Sequence, residues 1–103
     1  MLMIQSTKGK WIEPVHPGEI LKHEFLDPMG ISAIRLAKHI RVPRTRIERL
    51  IKEETALTID TAKRLSRAFG TTIEFWMNLQ LNYELAKAGT EIDVSNIEPL
   101  QAA

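Results

Sequence analysis

The sequence has no cysteine among its 103 residues, which excludes disulfides, thiol nucleophiles and thiolate metal sites. It also lacks any apolar run near the roughly 18 residues that a membrane span needs. Its N-terminus has no basic segment leading into an apolar block, unlike a secretion signal, so we expect a cytoplasmic protein. Glycine and proline are sparse, at five each. With 44% hydrophobic and 26% charged residues, the chain fits one small globular domain.

Patterns of catalytic and metal sites are missing as well. There is no glycine-rich phosphate loop, no GxSxG sequence and no pair of carboxylates placed for acid–base chemistry. His16, Glu19 and His23 recur along one predicted helix, but their spacing differs from HExxH and no further ligand cluster accompanies them. We therefore expect no enzyme activity, no cofactor and no metal, and we expect the histidines to be structural or solvent-exposed.

The middle of the chain carries signals for five helices. Pro17 suits a first helical position, Ser32 and Thr58 suit N-caps, and the glycine at position 70 suits a helix end. The segment 71–74 fits a capping box from Thr71 to Glu74. The predicted helices cover 17–27, about 32–40, about 43–52, the segment from the Thr58 cap to Gly70, and about 72–88.

These helices define one domain over residues 16–88, flanked by an N-terminal tail, 1–15, and a C-terminal tail, 89–103. Strand signals are weak, and three apolar residues of the C-terminal tail hint at an extended segment: Ile92, Val94 and Ile97. We expect both termini to be frayed.

Positive charge is concentrated in the second and third predicted helices. The net charge of the chain is only +1, but residues 32–52 carry seven basic side chains against Glu48 alone, a local charge of +6 that leaves −5 for the rest. The basic residues are Arg35, Lys38, Arg41, Arg44, Arg46, Arg49 and Lys52. Such a cluster is either a solvated helical face or an electrostatic footprint for phosphate.

Two short helices three residues apart, the second strongly basic, form the arrangement by which helix-turn-helix proteins read DNA. Ala37 is small enough for the second helix to cross closely over the first. Five apolar residues are placed to fill the shared core: Leu36, Ile40, Val42, Ile47 and Leu50. The alternative is a basic helix pair in an unrelated bundle. We favour DNA reading because two independent features, the spacing of the core residues and the basic outer face, both fit a helix-turn-helix.

The candidate DNA contacts lie mainly on the outer face of the third predicted helix. At about 100° per residue, three side chains point away from the core: Thr45, Arg49 and Lys52. Arg46 lies on the flank. Arg44 lies in the first turn, which enters the major groove, and both it and Arg49 are placed to pair with O6 and N7 of guanine. The amides near Ser32 and Ala33 are placed to hold a phosphate.

The fifth predicted helix carries more apolar surface than a single core-facing stripe requires. We expect a second copy to cover the excess, since readers of this kind bind half-sites about 34 Å apart as symmetric dimers. The candidate interface residues are Phe75, Trp76, Leu79 and Tyr83. The alternative is that all of this surface belongs to the core of a monomer.

From Ser32 to Lys52 the chain resembles the Cro/cI-type (XRE) repressors, and over about 16–85 it more narrowly resembles the HigA (VapI-like) antitoxins of host-inhibition-of-growth modules. The matching motifs are His16-Pro17-Gly18-Glu19-Ile20-Leu21, Thr58, Asp60-Thr61-Ala62, Arg64-Leu65, Phe69-Gly70-Thr71, Glu74-Phe75-Trp76, Asn78-Leu79-Gln80, Tyr83 and Leu85. The resemblance implies an all-α, five-helix lambda-repressor-like domain with a helix-turn-helix. It also implies a homodimer that binds operator DNA, represses its own operon and neutralises a cognate mRNA-cleaving toxin of the RelE-like (HigB) kind.

Two other functions stay open beside the antitoxin. One is a stand-alone XRE-type repressor without a toxin partner, and the other is a protein-interaction module whose helix-turn-helix has lost its ability to read DNA. Arg41 occupies the turn position that the family commonly gives to glycine, which costs about 1 kcal/mol if its φ is positive. Glu53 and Glu54 stand where relatives often carry glycine and basic residues, and they would repel phosphate from a loop lying against the DNA backbone. These departures favour the interaction module, whereas the HigA-like motifs from Thr58 onward favour the antitoxin.

Overall fold

The computed structural model describes residues 14–101, which form five helices and no strand. Helix α1 consists of three continuous segments, α-helical Pro17–Ile20, π-helical Leu21–Leu26 and α-helical Asp27–Met29. The others are α2 (Ala33–Ile40), α3 (Arg44–Ile51), α4 (Ile59–Phe69) and α5 (Ile73–Glu91). The predicted all-α, five-helix architecture is confirmed for this range. Residues 1–13 and 102–103, with most of the expected N-terminal tail, lie outside the described residues.

Most of the predicted helix ends are confirmed by side-chain caps. Pro17 lies in the first turn of α1. The hydroxyl of Ser32 accepts the amide of Arg35 at 3.1 Å at the start of α2. The hydroxyl of Thr58 accepts the amide of Thr61 at 3.3 Å at the start of α4, and Gly70 ends that helix with a φ of 69°. Local sequence signals therefore position the helices around the turn.

The predicted C-terminal ends of α1 and α5 are both wrong. Helix α1 continues to Met29 instead of stopping at residue 27, because the π-helical turn before Pro28 accommodates a residue that has no amide hydrogen. Helix α5 continues to Glu91 instead of residue 88, since Gly89 remains helical. Beyond it, Ile92 has an extended backbone, but no strand forms in the described residues up to 101.

The predicted capping box at the start of α5 is also wrong by one residue. Thr72, not Thr71, is the N-cap, and its hydroxyl accepts the amide of Phe75 at 2.9 Å. The hydroxyl of Thr71 instead accepts the indole N–H of Trp76 at 2.7 Å. A buried indole needs such an acceptor, so the tertiary contact takes precedence over the local cap.

The core is built around Trp76, which has no exposed surface. Its ring centroid lies 5.0 Å from that of Phe25, which in turn lies 4.8 Å from that of Phe69. Helices α1, α4 and α5 therefore meet at this aromatic cluster. The remaining buried hydrophobic residues are Leu21, Leu26, Leu36, Ala37, Ile40, Ile47, Leu50, Leu57, Ala62 and Leu65.

Gly18 of α1 lies close against the backbone of α3. A Cβ atom built on Gly18 would lie 1.8 Å from the carbonyl oxygen of Leu50 and 2.6 Å from its carbonyl carbon. Both are backbone atoms of α3, which no side-chain rotation moves. A glycine at this position therefore sets the distance between α1 and α3.

A buried histidine ties α1 to the loop that follows α3. His16 is 3% exposed, and its Nδ1 accepts the amide hydrogen of Gly18 at 3.0 Å. Its Nε2 lies 3.0 Å from the carbonyl oxygen of Thr55, so Nε2 carries the proton that is donated to that oxygen. These two bonds require a neutral imidazole, which packs edge-on against Tyr83 with ring centroids 4.9 Å apart.

We expect the free energy of unfolding to fall as the pH drops below 6.5, the ordinary pKa of histidine. Burial lowers the pKa of His16 in the folded protein, and it outweighs the opposite effects of Glu53, the Thr55 carbonyl and Glu19. The unfolded chain then takes up its proton at a higher pH than the folded chain. Stability that is present above pH 6.5 is therefore lost as the pH falls through the lowered pKa.

Urea unfolding at about pH 7.5 and about pH 5.5 checks this expectation, with a lower midpoint at the acidic value. His16→Asn serves as the control, because asparagine accepts the Gly18 amide but does not titrate. Its midpoint should differ less between the two pH values. An equal difference in both proteins would assign the pH dependence to other groups.

Candidate DNA-binding surface

Helices α2 and α3 meet at a turn whose first residue has a left-handed backbone. Arg41 has a φ of 63°, so the condition under which it costs about 1 kcal/mol relative to glycine is met. The turn is closed by the amide of Val42, which donates to the carbonyl of Ala37 at 3.0 Å. Glu53, one of the two residues that stand where the family often carries glycine and basic residues, also has a φ of 63°. The chain therefore carries two non-glycine residues in glycine-like conformations on either side of α3.

The basic residues predicted to contact DNA lie on the surface of α3. Four of its candidate residues and the C-cap are exposed: Arg44, Thr45, Arg46, Arg49 and Lys52. Ile47 and Leu50 fill the opposite, buried side. Arg44 is 63% exposed and is 3.9 Å from the carboxylate of Glu48, a weak surface pair. Its guanidinium is therefore accessible to a ligand.

The predicted phosphate-binding end of α2 is open to solvent at its cap. Ser32 is exposed, and Ala33 is half-buried against the core. In the first backbone hydrogen bond of α2, the amide of Leu36 donates to the carbonyl oxygen of Ser32 at 3.0 Å. The amides before it carry the partial positive charge of a helix start.

Arg46 is held by a partner that sequence reasoning missed. Its Nη1 lies 2.5 Å from Oδ2 of Asp60 on α4, and the same oxygen accepts Nε of Arg64 at 3.2 Å. Arg64 also donates through Nη1 to the carbonyl of Ile40 at 2.8 Å, which connects α4 to the end of α2. The hydrogen bond from Arg46, supported by Arg64, holds the pKa of Asp60 below its usual range. The spacing of Asp60 and Arg64 is the only sequence signal for this network.

The loop after α3 is anchored from two sides. Thr55 accepts the bond from His16, and the amide of Leu57 donates to Oε1 of Gln80 on α5 at 2.8 Å. Gln80 in turn donates through Nε2 to Glu84 at 2.7 Å. Glu53 and Glu54 are exposed on this loop. Together with the contact at Gly18, these bonds fix the position of α3 on the domain.

The four candidate interface residues on α5 have different surroundings. Trp76 was expected at a dimer interface, but this is wrong, because a residue without exposed surface in one chain has none to bury against another. Phe75 is 39% exposed, whereas Leu79 packs against the core and Tyr83 against His16. Two residues outside the predicted set are more exposed, Leu81 at 53% and Leu85 at 60%.

Within residues 14–101, no group of three or more His, Asp or Glu side chains is placed to hold a metal ion. His16 is a buried structural residue, and His23 lies 3.5 Å from the carboxylate of Asp27 on the surface of α1. No helix in the described part of the chain is long and apolar enough to cross a membrane.

Comparison with known proteins matches residues 23–76 to a helix-turn-helix family model. The chain is 45% identical over 83 residues to virulence-associated protein I of Dichelobacter nodosus, covering 81% of this chain and 77% of that protein. It is 46% identical over 77 residues to antitoxin HigA-1 of Vibrio cholerae, covering 75% and 70%. The solved structure of Pseudomonas aeruginosa antitoxin HigA with the higBA promoter has a TM-score of 0.78 at 41% identity, covering 85% of this chain and 99% of that one.

Proposed function

Because the chain belongs to the helix-turn-helix family that includes virulence-associated protein I and antitoxin HigA-1, we propose that it is an antitoxin and autorepressor. It binds operator DNA as a dimer, represses its own operon and neutralises a cognate mRNA-cleaving toxin of the RelE-like kind. It acts in the cytoplasm and catalyses no reaction. The Pseudomonas aeruginosa antitoxin of this fold was solved with promoter DNA, which supports the assignment.

The observation that carries the proposal is the exposed basic face of α3 on a rigid support. Arg44 and Arg49 present two guanidinium groups to solvent, while Ile47 and Leu50 are locked in the core beneath them. Such a helix enters the major groove with its first turn, where guanidinium groups pair with guanine. Ser32 and Ala33 then lie at a helix start suited to a backbone phosphate, while Thr45, Arg46 and Lys52 flank the readout residues.

A fluorescence-anisotropy titration tests DNA binding. The protein is titrated against a duplex from upstream of its own gene and against a shuffled duplex, at two salt concentrations. We expect tighter binding to the native duplex and an affinity that falls as salt rises. Equal, weak binding to both duplexes would contradict the repressor and leave the protein-interaction module.

The toxin partner is tested separately, by expressing a short reading frame adjacent to this gene. We expect growth arrest that co-expression of the chain relieves. If no neighbouring product arrests growth and the operator is still bound, the stand-alone XRE-type repressor is the correct assignment.

We further propose that the outer face of α5 forms the dimer contact. Leu81 and Leu85 are one helical turn apart and both more than half exposed, and Phe75 adds a partly exposed ring. Of the residues predicted for the interface, Leu79 and Tyr83 are half-buried and lie on the opposite side of α5, so the proposed contact consists of Leu81, Leu85 and Phe75. A second copy of the same helix would cover these apolar side chains in an isologous contact.

Sedimentation at micromolar concentration tests this dimer. We expect the wild type to have twice the 11.8 kDa mass of the chain and Leu81→Gln/Leu85→Gln to move toward the monomer mass. Met29→Gln/Ile59→Gln is a matched control, because it also replaces two exposed apolar residues but on α1 and α4. A monomeric wild type would remove the dimer from the proposal.

A further inference from the structure

A second basic surface lies beside the helix-turn-helix, in an open cleft of about 630 Å³ between the end of α2 and one side of α4. Ile40 and Ala68 contribute its apolar lining. Its polar lining consists of His39, Arg41, Asp60, Lys63, Arg64 and Arg67. The sequence reasoning did not single out this cleft, because the basic residues of α4 lie outside the segment 32–52.

The cations of the cleft fall into two groups. Arg64 is engaged within the protein by the Ile40 carbonyl and by Asp60. Arg41, Lys63 and Arg67, in contrast, make no side-chain ion pair or hydrogen bond with another residue in the range 14–101. The only carboxylate lining the cleft is already shared by Arg46 and Arg64. Three positive charges are therefore left unbalanced.

This arrangement is unfavourable in the free protein. Lys63 and Arg67 are one helical turn apart on α4, where like charges repel. Arg41 has a φ of 63°, a conformation that glycine would adopt without strain. An anionic ligand would offset the repulsion, so a solvated basic face is the weaker explanation of the cluster.

The cleft adjoins the proposed reading helix. Asp60, which lines the cleft, is bonded to Arg46 in the first turn of α3 at 2.5 Å. Arg41 is in the turn immediately before α3. When the first turn of a helix enters the major groove, which is about 12 Å wide, a sugar–phosphate strand lies along each side of it. With α3 docked in this way, the bond between Arg46 and Asp60 would bring the cleft next to one of these strands.

We propose that this cleft binds backbone phosphates of the operator duplex through Lys63, Arg67 and Arg41. The inference rests on the proposed DNA-binding function and adds to it a second phosphate contact, away from the start of α2. Phosphate contacts of this kind set orientation and affinity and carry no sequence preference. The sequence preference itself remains with Arg44 and Arg49.

The test is the affinity of Lys63→Gln/Arg67→Gln for the native and the shuffled duplex over a range of salt concentrations. Loss of two phosphate contacts lowers the slope of log affinity against log salt by about 1.8, which corresponds to about thirtyfold weaker binding at about 0.15 M salt. We expect this loss for both duplexes, with the ratio between them unchanged. Thermal unfolding of the variant should occur at or slightly above the wild-type temperature, because both side chains are exposed and their mutual repulsion is removed.

Lys22→Gln/Lys87→Gln is the matched control, since it removes the same charge from α1 and α5 outside the cleft. It should keep the wild-type slope. If the wild type prefers its own duplex but Lys63→Gln/Arg67→Gln keeps the wild-type affinity and slope, the cleft proposal is overturned while the repressor stands. A variant that instead loses the dimer in sedimentation would show that the cleft holds an acidic segment of a second copy. A wild type that binds no DNA would overturn both proposals.

Discussion

We expect Gly18→Ala to unfold at a temperature at least about 12 °C below the wild type. The methyl group would lie 1.8 Å from the carbonyl oxygen of Leu50, far inside van der Waals contact. Overpacking a core costs about 1 to 3 kcal/mol and occasionally more. The upper part of that range applies here, because the obstructing atoms belong to a helix backbone and only a shift of α3 relieves the clash. A loss of about 3 kcal/mol lowers the midpoint of a domain this small by roughly 12 to 24 °C.

Gly89→Ala is the control that isolates the clash from the general effect of adding a methyl group. Gly89 lies within α5, and a Cβ built on it meets nothing within 4 Å. Alanine in place of an exposed helical glycine raises stability by about 0.5 to 1 kcal/mol. The two substitutions are chemically identical and are expected to shift the thermal midpoint in opposite directions. If Gly18→Ala melted with the wild type, the close approach of α1 to α3 would be refuted.

The same contact shows why this glycine was recognised only as part of a motif. Gly18 has an ordinary helical φ, so no turn signal marks it. A residue without a Cβ is required here because the carbonyl of Leu50, which is distant in the sequence, occupies the space. By contrast, the left-handed backbone of Arg41 had a sequence signal, because this turn position is one that the family commonly gives to glycine.

Local signals therefore predicted the helices, the caps at Ser32 and Thr58 and the exposed face of α3. They failed where a distant residue decides the outcome. Thr71 matched a capping box, but the indole of Trp76 uses its hydroxyl. Trp76 and Leu85 lie on opposite faces of α5, and because both faces are apolar, helical periodicity does not show which of them the core covers.

The sequence likewise predicted where the charged residues lie but not which of them pair with each other. The excess charge of residues 32–52 predicted a basic exposed face, and the basic side chains of α3 are exposed in the structure. It did not reveal that Asp60 on α4 holds Arg46, since the two residues are brought together only by the fold. This bond limits the rotamers of Arg46, whereas Arg49 makes no side-chain bond with another residue in the described range. We therefore propose that Arg44 and Arg49 read the bases and that Arg46 flanks them.

We expect Arg44→Ala/Arg49→Ala to lose the preference for the native duplex while remaining folded. Each bidentate arginine–guanine pair contributes about 1 to 3 kcal/mol of discrimination. Loss of both corresponds to roughly 30-fold to 10⁴-fold in the affinity ratio between native and shuffled duplexes. The fold should persist, because both side chains are exposed, the 3.9 Å contact of Arg44 with Glu48 is the only ion pair that either makes within residues 14–101, and alanine favours helix. Anisotropy measures the ratio, and thermal unfolding confirms the fold.

Arg44→Lys/Arg49→Lys separates base reading from charge. Lysine keeps the positive charge but cannot form the planar bidentate pair. This variant should retain the salt dependence of the wild type and its affinity for the shuffled duplex, yet lose much of the preference for the native one. The alanine variant should lose both the preference and part of the salt slope. If the alanine variant kept its full preference, the bases would have to be read by a surface other than α3, and the exposed arginines would contribute only charge.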